Sequence, residues 1–215
     1  MQRPFWHFTH SARRTMAATV AMAGVLTLGG CGSSDPTLYS LAPVASTQSM
    51  GVGTQVPAVI EVRTPGVPSS LDRQTIVGVQ DDYSVTPLAG AAWSEPLAPM
   101  LGHVLSTDLQ QRLPGRTVFA QNDATTIPAQ GVVEVEITRF ARDSAGLVHL
   151  AGNLSVHRVG DADHGLSVPL DLSATPTGTG TRAMVAALSQ LTGQVADMAA
   201  ERLQALPVAP VPHHS

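Results

Sequence analysis

Val133-Glu134-Val135-Glu136-Ile137-Thr138 alternates apolar and polar residues one by one. Successive strand side chains point to opposite faces, so this alternation specifies a strand with one buried and one wet face. Working outward, Val148, Leu150, Leu154 and Val156 keep the pattern, and so do Leu166, Val168, Leu170 and Leu172. Between the last two runs, Gly160-Asp161-Ala162-Asp163-His164-Gly165 has the Gly and Asp residues of a hairpin tip. Three strands so joined form an antiparallel meander with one apolar face, and such a face needs a cover.

The cover comes from both sides of the meander. Upstream, Ser94 reads as an N-cap, Glu95 suits the positive end of a helix, and Pro96 fits the first turn, where its missing N–H has no intrahelical partner. Leu97, Leu101, Val104, Leu105 and Leu109 then recur at three and four residues, Leu113 closes the stripe, and Pro114-Gly115 stops the helix. His103, Asp108, Gln110 and Arg112 fall on the other, solvated face. Trp93 stands directly before the cap as a hydrophobic staple, with partner binding as its alternative role. Downstream, a Thr- and Gly-rich link from Thr175 to Thr181 leads into a second helix striped by Met184, Leu188, Leu191, Val195 and Met198, extended by Leu203 and Leu206 and ended by Pro207. Its alanines permit close approach to a sheet.

Further strands are expected at Thr37–Leu41, Ala58–Arg63, Gln74–Val79 and Thr117–Ala120, with Tyr83–Leu88 pairing back across an Asp81-Asp82 turn. Val67–Arg73 reads as a short helical turn, and Ala45–Gln55 as a Ser-, Gly- and Thr-rich loop. The fold class is α/β: one compact domain, a mixed β-sheet with two long amphipathic helices packed on it.

Leu28-Gly29-Gly30-Cys31 decides where this domain is held. An uncharged run from Thr15 to Leu28 follows Arg3, His7, His10, Arg13 and Arg14, with no acidic residue among them. At about 14 residues the run is shorter than the roughly 20 a transmembrane helix needs, so it reads as a cleaved export signal. Leu three residues before the Cys, with small residues between, forms a lipobox. Cys31 is the only cysteine and has no partner for a bridge within the chain. The expected organisation is a lipoprotein signal peptide over residues 1–30, a lipid-anchored tether over 31–36, the α/β domain over 37–206 and a disordered Pro-rich tail over 207–215. Gly32 and Ser33 occupy the sorting positions. Asp at the first would mark inner-membrane retention, so Gly32 directs the protein to the periplasmic face of the outer membrane. Lipobox cysteines carry several acyl chains, which anchor firmly where a single chain binds marginally. This covalent lipid on Cys31 is the only cofactor expected.

Composition narrows the function. The chain of 215 residues has a net charge of −4 and no lysine, and its arginines from Arg63 to Arg202 are scattered, so no basic patch is available for nucleic acid. Aromatic residues are 4% of the chain, too few for a base-stacking surface. Ser106, His103 and Asp108 are close in sequence, but their helical spacing points them apart, and no Gly-x-Ser-x-Gly elbow occurs. Gly178-x-Gly180 lacks the remaining residues of a phosphate-binding loop. His157, Asp161, Asp163 and His164 are the best metal-ligand types, although their spacing matches no established framework. They define the alternative function, a small periplasmic metal-assisted hydrolase.

The order of these features resembles the PqiC family of auxiliary lipoproteins, also described as ABC-type transport auxiliary lipoproteins. The matching pieces are Cys31 followed by Tyr39-Ser40-Leu41, Leu71-Asp72-Arg73 leading into an apolar strand, Trp93-Ser94-Glu95-Pro96-Leu97 opening the helix, Leu113-Pro114-Gly115 ending it, and an alternating strand running into Phe140. The resemblance implies a fold like the N-terminal domain of TolB. It also implies a non-enzymatic accessory subunit of an MCE-type intermembrane lipid transport system that supports envelope integrity. The partners so implied are an MCE-domain protein forming a tunnel across the periplasm, its inner-membrane subunit and the outer membrane, with a homo-oligomer left open. The family offers no catalytic residues, and only Cys31 carries over as a functional position.

Overall fold

The computed structural model describes residues 35–46, 51–80, 84–121, 123 and 127–207. Eight strands form one mixed sheet: β1 (Thr37–Tyr39), β2 (Val59–Val62), β3 (Thr75–Val79), β4 (Val85–Trp93), β5 (Thr117–Ala120), β6 (Gly131–Arg142), β7 (Val148–Arg158) and β8 (Asp161–Ala174). Two helices, α1 (Leu97–Arg112) and α2 (Gly180–Gln204), complete it. No helix among the described residues is long and apolar enough to cross a membrane.

The stretch 133–138 lies in β6, the spine of the sheet. On one flank β7 pairs antiparallel along the whole of β6, and β8 pairs antiparallel with β7. The other flank is shared. β2 pairs parallel with the start of β6, Gly66 bridges to Glu136 midway, and Gly78 of β3 pairs with Arg142 at the end. The sheet therefore forks, with β5 parallel beside β2 on one branch and β4 then β1 beside β3 on the other.

Alternation explains which face is covered. Val133, Val135, Ile137, Leu150, Leu154, Val156 and Leu170 are buried with the leucine stripes of both helices in one core. Phe140 breaks the odd-numbered series of β6, yet it is buried as well. A bulge between Ile137 and Arg139 supplies the extra residue that turns Phe140 back to the core face. Opposite that bulge stands Gly152, where a Cβ would lie 1.8 Å from the Glu136 carbonyl oxygen, so only glycine fits.

Three local expectations are corrected. α1 begins at Leu97 with Pro96 as N-cap, and Ser94 is not the capping residue. The capping role passes to Asp72, whose Oδ1 accepts from the Ala98 N–H at 3.1 Å. β4 continues past Leu88 to Trp93: the small residues of 89–92 carry no strand signal, but Ala91 and Ala92 pair with β1 and Ala92 also with Thr75 of β3. The β7–β8 connection is the two-residue Val159-Gly160, with Gly160 at φ +82°, so Asp161–Gly165 belongs to β8. Val67–Arg73 makes the expected single turn, with the Leu71 and Asp72 N–H groups donating to the Pro68 carbonyl. The Asp81-Asp82 turn and residues 208–215 of the tail lie outside the described residues.

Candidate functional site

Cys31, its lipobox residues Leu28, Gly29 and Gly30, and the sorting positions Gly32 and Ser33 lie outside the described residues. Trp93 lies within them, and its partner-binding role is overturned. It is 3% exposed, packed in the core against Phe140 with ring centroids 6.4 Å apart and planes tilted by 45°. As the last residue of β4 it sits four residues before α1, which leaves it no staple position either.

Trp93 instead belongs to a junction at the start of α1. Its N–H donates to the Gln74 carbonyl at 2.6 Å, and the Ser94 N–H donates to the Tyr39 carbonyl at 2.8 Å. Asp72 caps the helix, and the Leu41 N–H lies 3.4 Å from the Met100 sulfur. The three motifs Tyr39-Ser40-Leu41, Leu71-Asp72-Arg73 and Trp93-Ser94-Glu95-Pro96-Leu97 thus meet at one place, although more than fifty residues separate the first from the last.

A buried polar cluster lies further along α1. Asp108 and Arg112, expected on the solvated face, are 0% and 3% exposed. The segment after β1 crosses this face as a strap. The Ala42 N–H donates to Ser189 Oγ at 3.1 Å, and the Val44 N–H donates to Asp108 Oδ1 at 2.6 Å. Arg112 donates from Nε to Asp197 Oδ1 at 2.5 Å and from Nη1 to the carbonyls of Asp108 and Val44 at 2.9 and 3.1 Å. Gly193 lets the strap press onto α2, since a Cβ there would lie 3.1 Å from Val44 Cβ. Burial pushes the Asp108 carboxyl up to about 6, against the lowering effect of the Val44 N–H and the Arg112 guanidinium. Its Oδ2 is buried without a hydrogen-bond partner.

The metal-ligand types do not converge. His157 Nδ1 bonds its neighbour's carbonyl at Arg158, and its Nε2 lies 3.7 Å from Glu134. His164 pairs separately with Asp161 at 2.5 Å, and that carboxylate raises the imidazole's proton affinity. Among the described residues no three His, Cys, Asp or Glu side chains are grouped to hold an ion. Ser106 Oγ donates to the His103 carbonyl of its own helix, and the His103 ring faces Asp123 at 3.8 Å, so the helical trio forms no relay.

The uncovered face of the sheet forms a shallow polar groove of about 460 Å³ over β6, β7 and β8. Arg63 and Glu134 are paired across it, and Ser155 and Asn153 both bond Ser167. The space between helices and sheet, lined by Leu101, Leu105, Ile137, Leu150 and Val195 among others, is closely packed.

Comparison with known proteins agrees with this fold. The family model described as ABC-type transport auxiliary lipoprotein component matches residues 39–200. A crystal structure of an uncharacterized protein is similar with a TM-score of 0.64 and 20% identity, covering 78% of this chain and 98% of that one. Protein XCC0632 from Xanthomonas campestris, of family model DUF330, is similar with a TM-score of 0.56 and 19% identity, covering 79% of this chain and 96% of that one. At these identities the two structures show the fold. No curated protein matches the chain.

Proposed function

Because this chain belongs to the ABC-type transport auxiliary lipoprotein component family, we propose that it is the outer-membrane-anchored, non-enzymatic subunit of an MCE-type lipid transport system. It docks to the MCE tunnel protein and is held to the membrane by the lipid on Cys31. The observation that carries this reading is the family match across residues 39–200, within which Tyr39–Leu41, Leu71–Arg73 and Trp93–Leu97 meet at the head of α1.

The lipobox, the absence of Asp at position 32 and the junction of family motifs support the remaining parts. Cys31→Ala is expected to move the protein from the outer-membrane fraction to the soluble periplasmic fraction, read by fractionation and immunoblotting. Retention of this variant in the outer membrane would contradict the anchoring.

A further inference from the structure

Three parallel strands, β2, β5 and β6, begin together: Val59 pairs with Thr117, and Ile60 with Gly131. β7 runs against them and finishes at the same place, with Arg158 opposite Gly131. The loop entering β2, the residues just before β5 and β6, and the last residue of β7 are thereby gathered. Between them lies an open groove of about 500 Å³, lined by Thr54, Gln55, Ala58, Arg116, Gln130 and Arg158 among others.

The two arginines come from different strands, yet they grip one short segment. Arg116 Nη2 donates to the Gly53 carbonyl at 2.9 Å, and Arg158 Nη2 donates to the Gln55 carbonyl at 2.5 Å. Gly53 and Gln55 are two Cα–Cα steps apart, at most about 7.6 Å, so the guanidiniums stand side by side. Arg158 Nε donates to a further carbonyl, that of Pro207, at 3.0 Å. All three acceptors are neutral. Arg63 is matched by Glu134 and Arg112 by Asp197, whereas Arg116 and Arg158 form no ion pair among the described residues, and no acidic residue lines their groove. Arg116 Nε is buried without an acceptor. Gln130 Oε1 accepts from the Ala58 N–H at 3.1 Å, which leaves its amide N–H groups to donate. The groove therefore holds two positive charges with no counter-charge, and donors in excess of acceptors.

We infer that this groove binds a phosphate group, with Arg116 and Arg158 supplying the charge and Gln130 and Thr54 the neutral donors. A carboxylate has two oxygens and is matched by one guanidinium fork; two guanidiniums beside neutral donors match the larger set of oxygens on a phosphate. A phospholipid headgroup and a soluble phosphate ester offer the same chemistry, and the groove is open enough to admit either.

The full acylated protein, held in dodecyl maltoside micelles at low ionic strength, is titrated by calorimetry with sn-glycerol 3-phosphate, with phosphatidylglycerol in the same detergent, and with acetate. At least one phosphate probe is expected to bind, at least tenfold more tightly than acetate. Arg116→Gln and, separately, Thr54→Asp are each expected to weaken that binding at least tenfold. Thr54 is exposed, so its variant keeps both arginines and their carbonyl bonds and adds an opposing charge at the rim; thermal unfolding checks that each variant is folded. Arg73→Gln, exposed and outside the groove, is expected to change the affinity less than twofold. Binding of phosphatidylglycerol alone supports the site with a lipid headgroup as its ligand, and equal binding of glycerol 3-phosphate supports it with a soluble ester. Failure of both phosphate probes to bind, acetate binding as tightly, or phosphate binding that survives both Arg116→Gln and Thr54→Asp overturns the proposal and leaves the two arginines as fasteners of the loop and of the chain after α2.

Discussion

Asp108 shows how a single residue's surroundings can override its place in a helical pattern. Asp108 and Arg112 are four apart, the spacing of an ordinary solvated ion pair. They are buried because the strap at 42–46 covers them, a contact made 64 residues away in sequence. No helical wheel can show such a contact. The raised carboxyl affinity fixes the sign of a pH effect. A folded value of about 6 lies above the unfolded value of 3.8, so this group's contribution is fully present below the unfolded value and is lost as pH rises through about 6. Asp108→Asn is expected to remove that part of the pH dependence between pH 4 and 6, measured by urea unfolding across the window. Asp108→Ala leaves the Val44 N–H without its acceptor and should cost about 2–3 kcal/mol at pH 7 by the same measurement.

Gly152 is the counterpart on the sheet. With the Glu136 carbonyl 1.8 Å from where a Cβ would stand, Gly152→Ala must part β6 from β7 at the bulge. A loss on the order of 3 kcal/mol is expected in thermal or urea unfolding; a stability change within 0.5 kcal/mol, taken as about the level of a neutral surface substitution, would contradict the close approach.

Among the elements, legibility followed locality. The β6–β7–β8 meander and both leucine stripes were readable because alternation and three-to-four spacing are local consequences of burial on one face. The strand content of Ala89–Ala92 was not, since alanine and glycine carry almost no strand preference and their pairing is imposed by β3 and β1. The start of α1 departs from its local signal for a related reason. Ser94 has the chemistry of a cap, but it stands two residues before the N-cap Pro96, and the acceptor is provided by Asp72, 26 residues before Ala98. Asp72→Ala should therefore cost about 1 kcal/mol, with Asp72→Asn close to neutral, read as paired shifts in urea midpoint. An equal loss from Ser94→Ala would restore the local cap. Trp93 was conspicuous for its size and place, yet its position at the close of β4 puts it in the core.

For the whole molecule, the forked sheet brings three separated motifs together at the head of α1. The candidate site was less legible than the fold. The metal-ligand types of β7 and β8 are neighbours in sequence, but His157 turns to Glu134 and His164 to Asp161. What the described residues present instead is a packed core and a polar sheet face on which Arg63 pairs with Glu134. The most direct test of this account is capture from detergent-solubilised, crosslinked envelopes with the full acylated protein as bait. The account predicts that an MCE-domain protein is recovered in near-stoichiometric yield, while a bait carrying an unrelated domain on the same lipid anchor recovers none. Envelopes that contain the MCE protein but yield none of it with the bait would contradict the account.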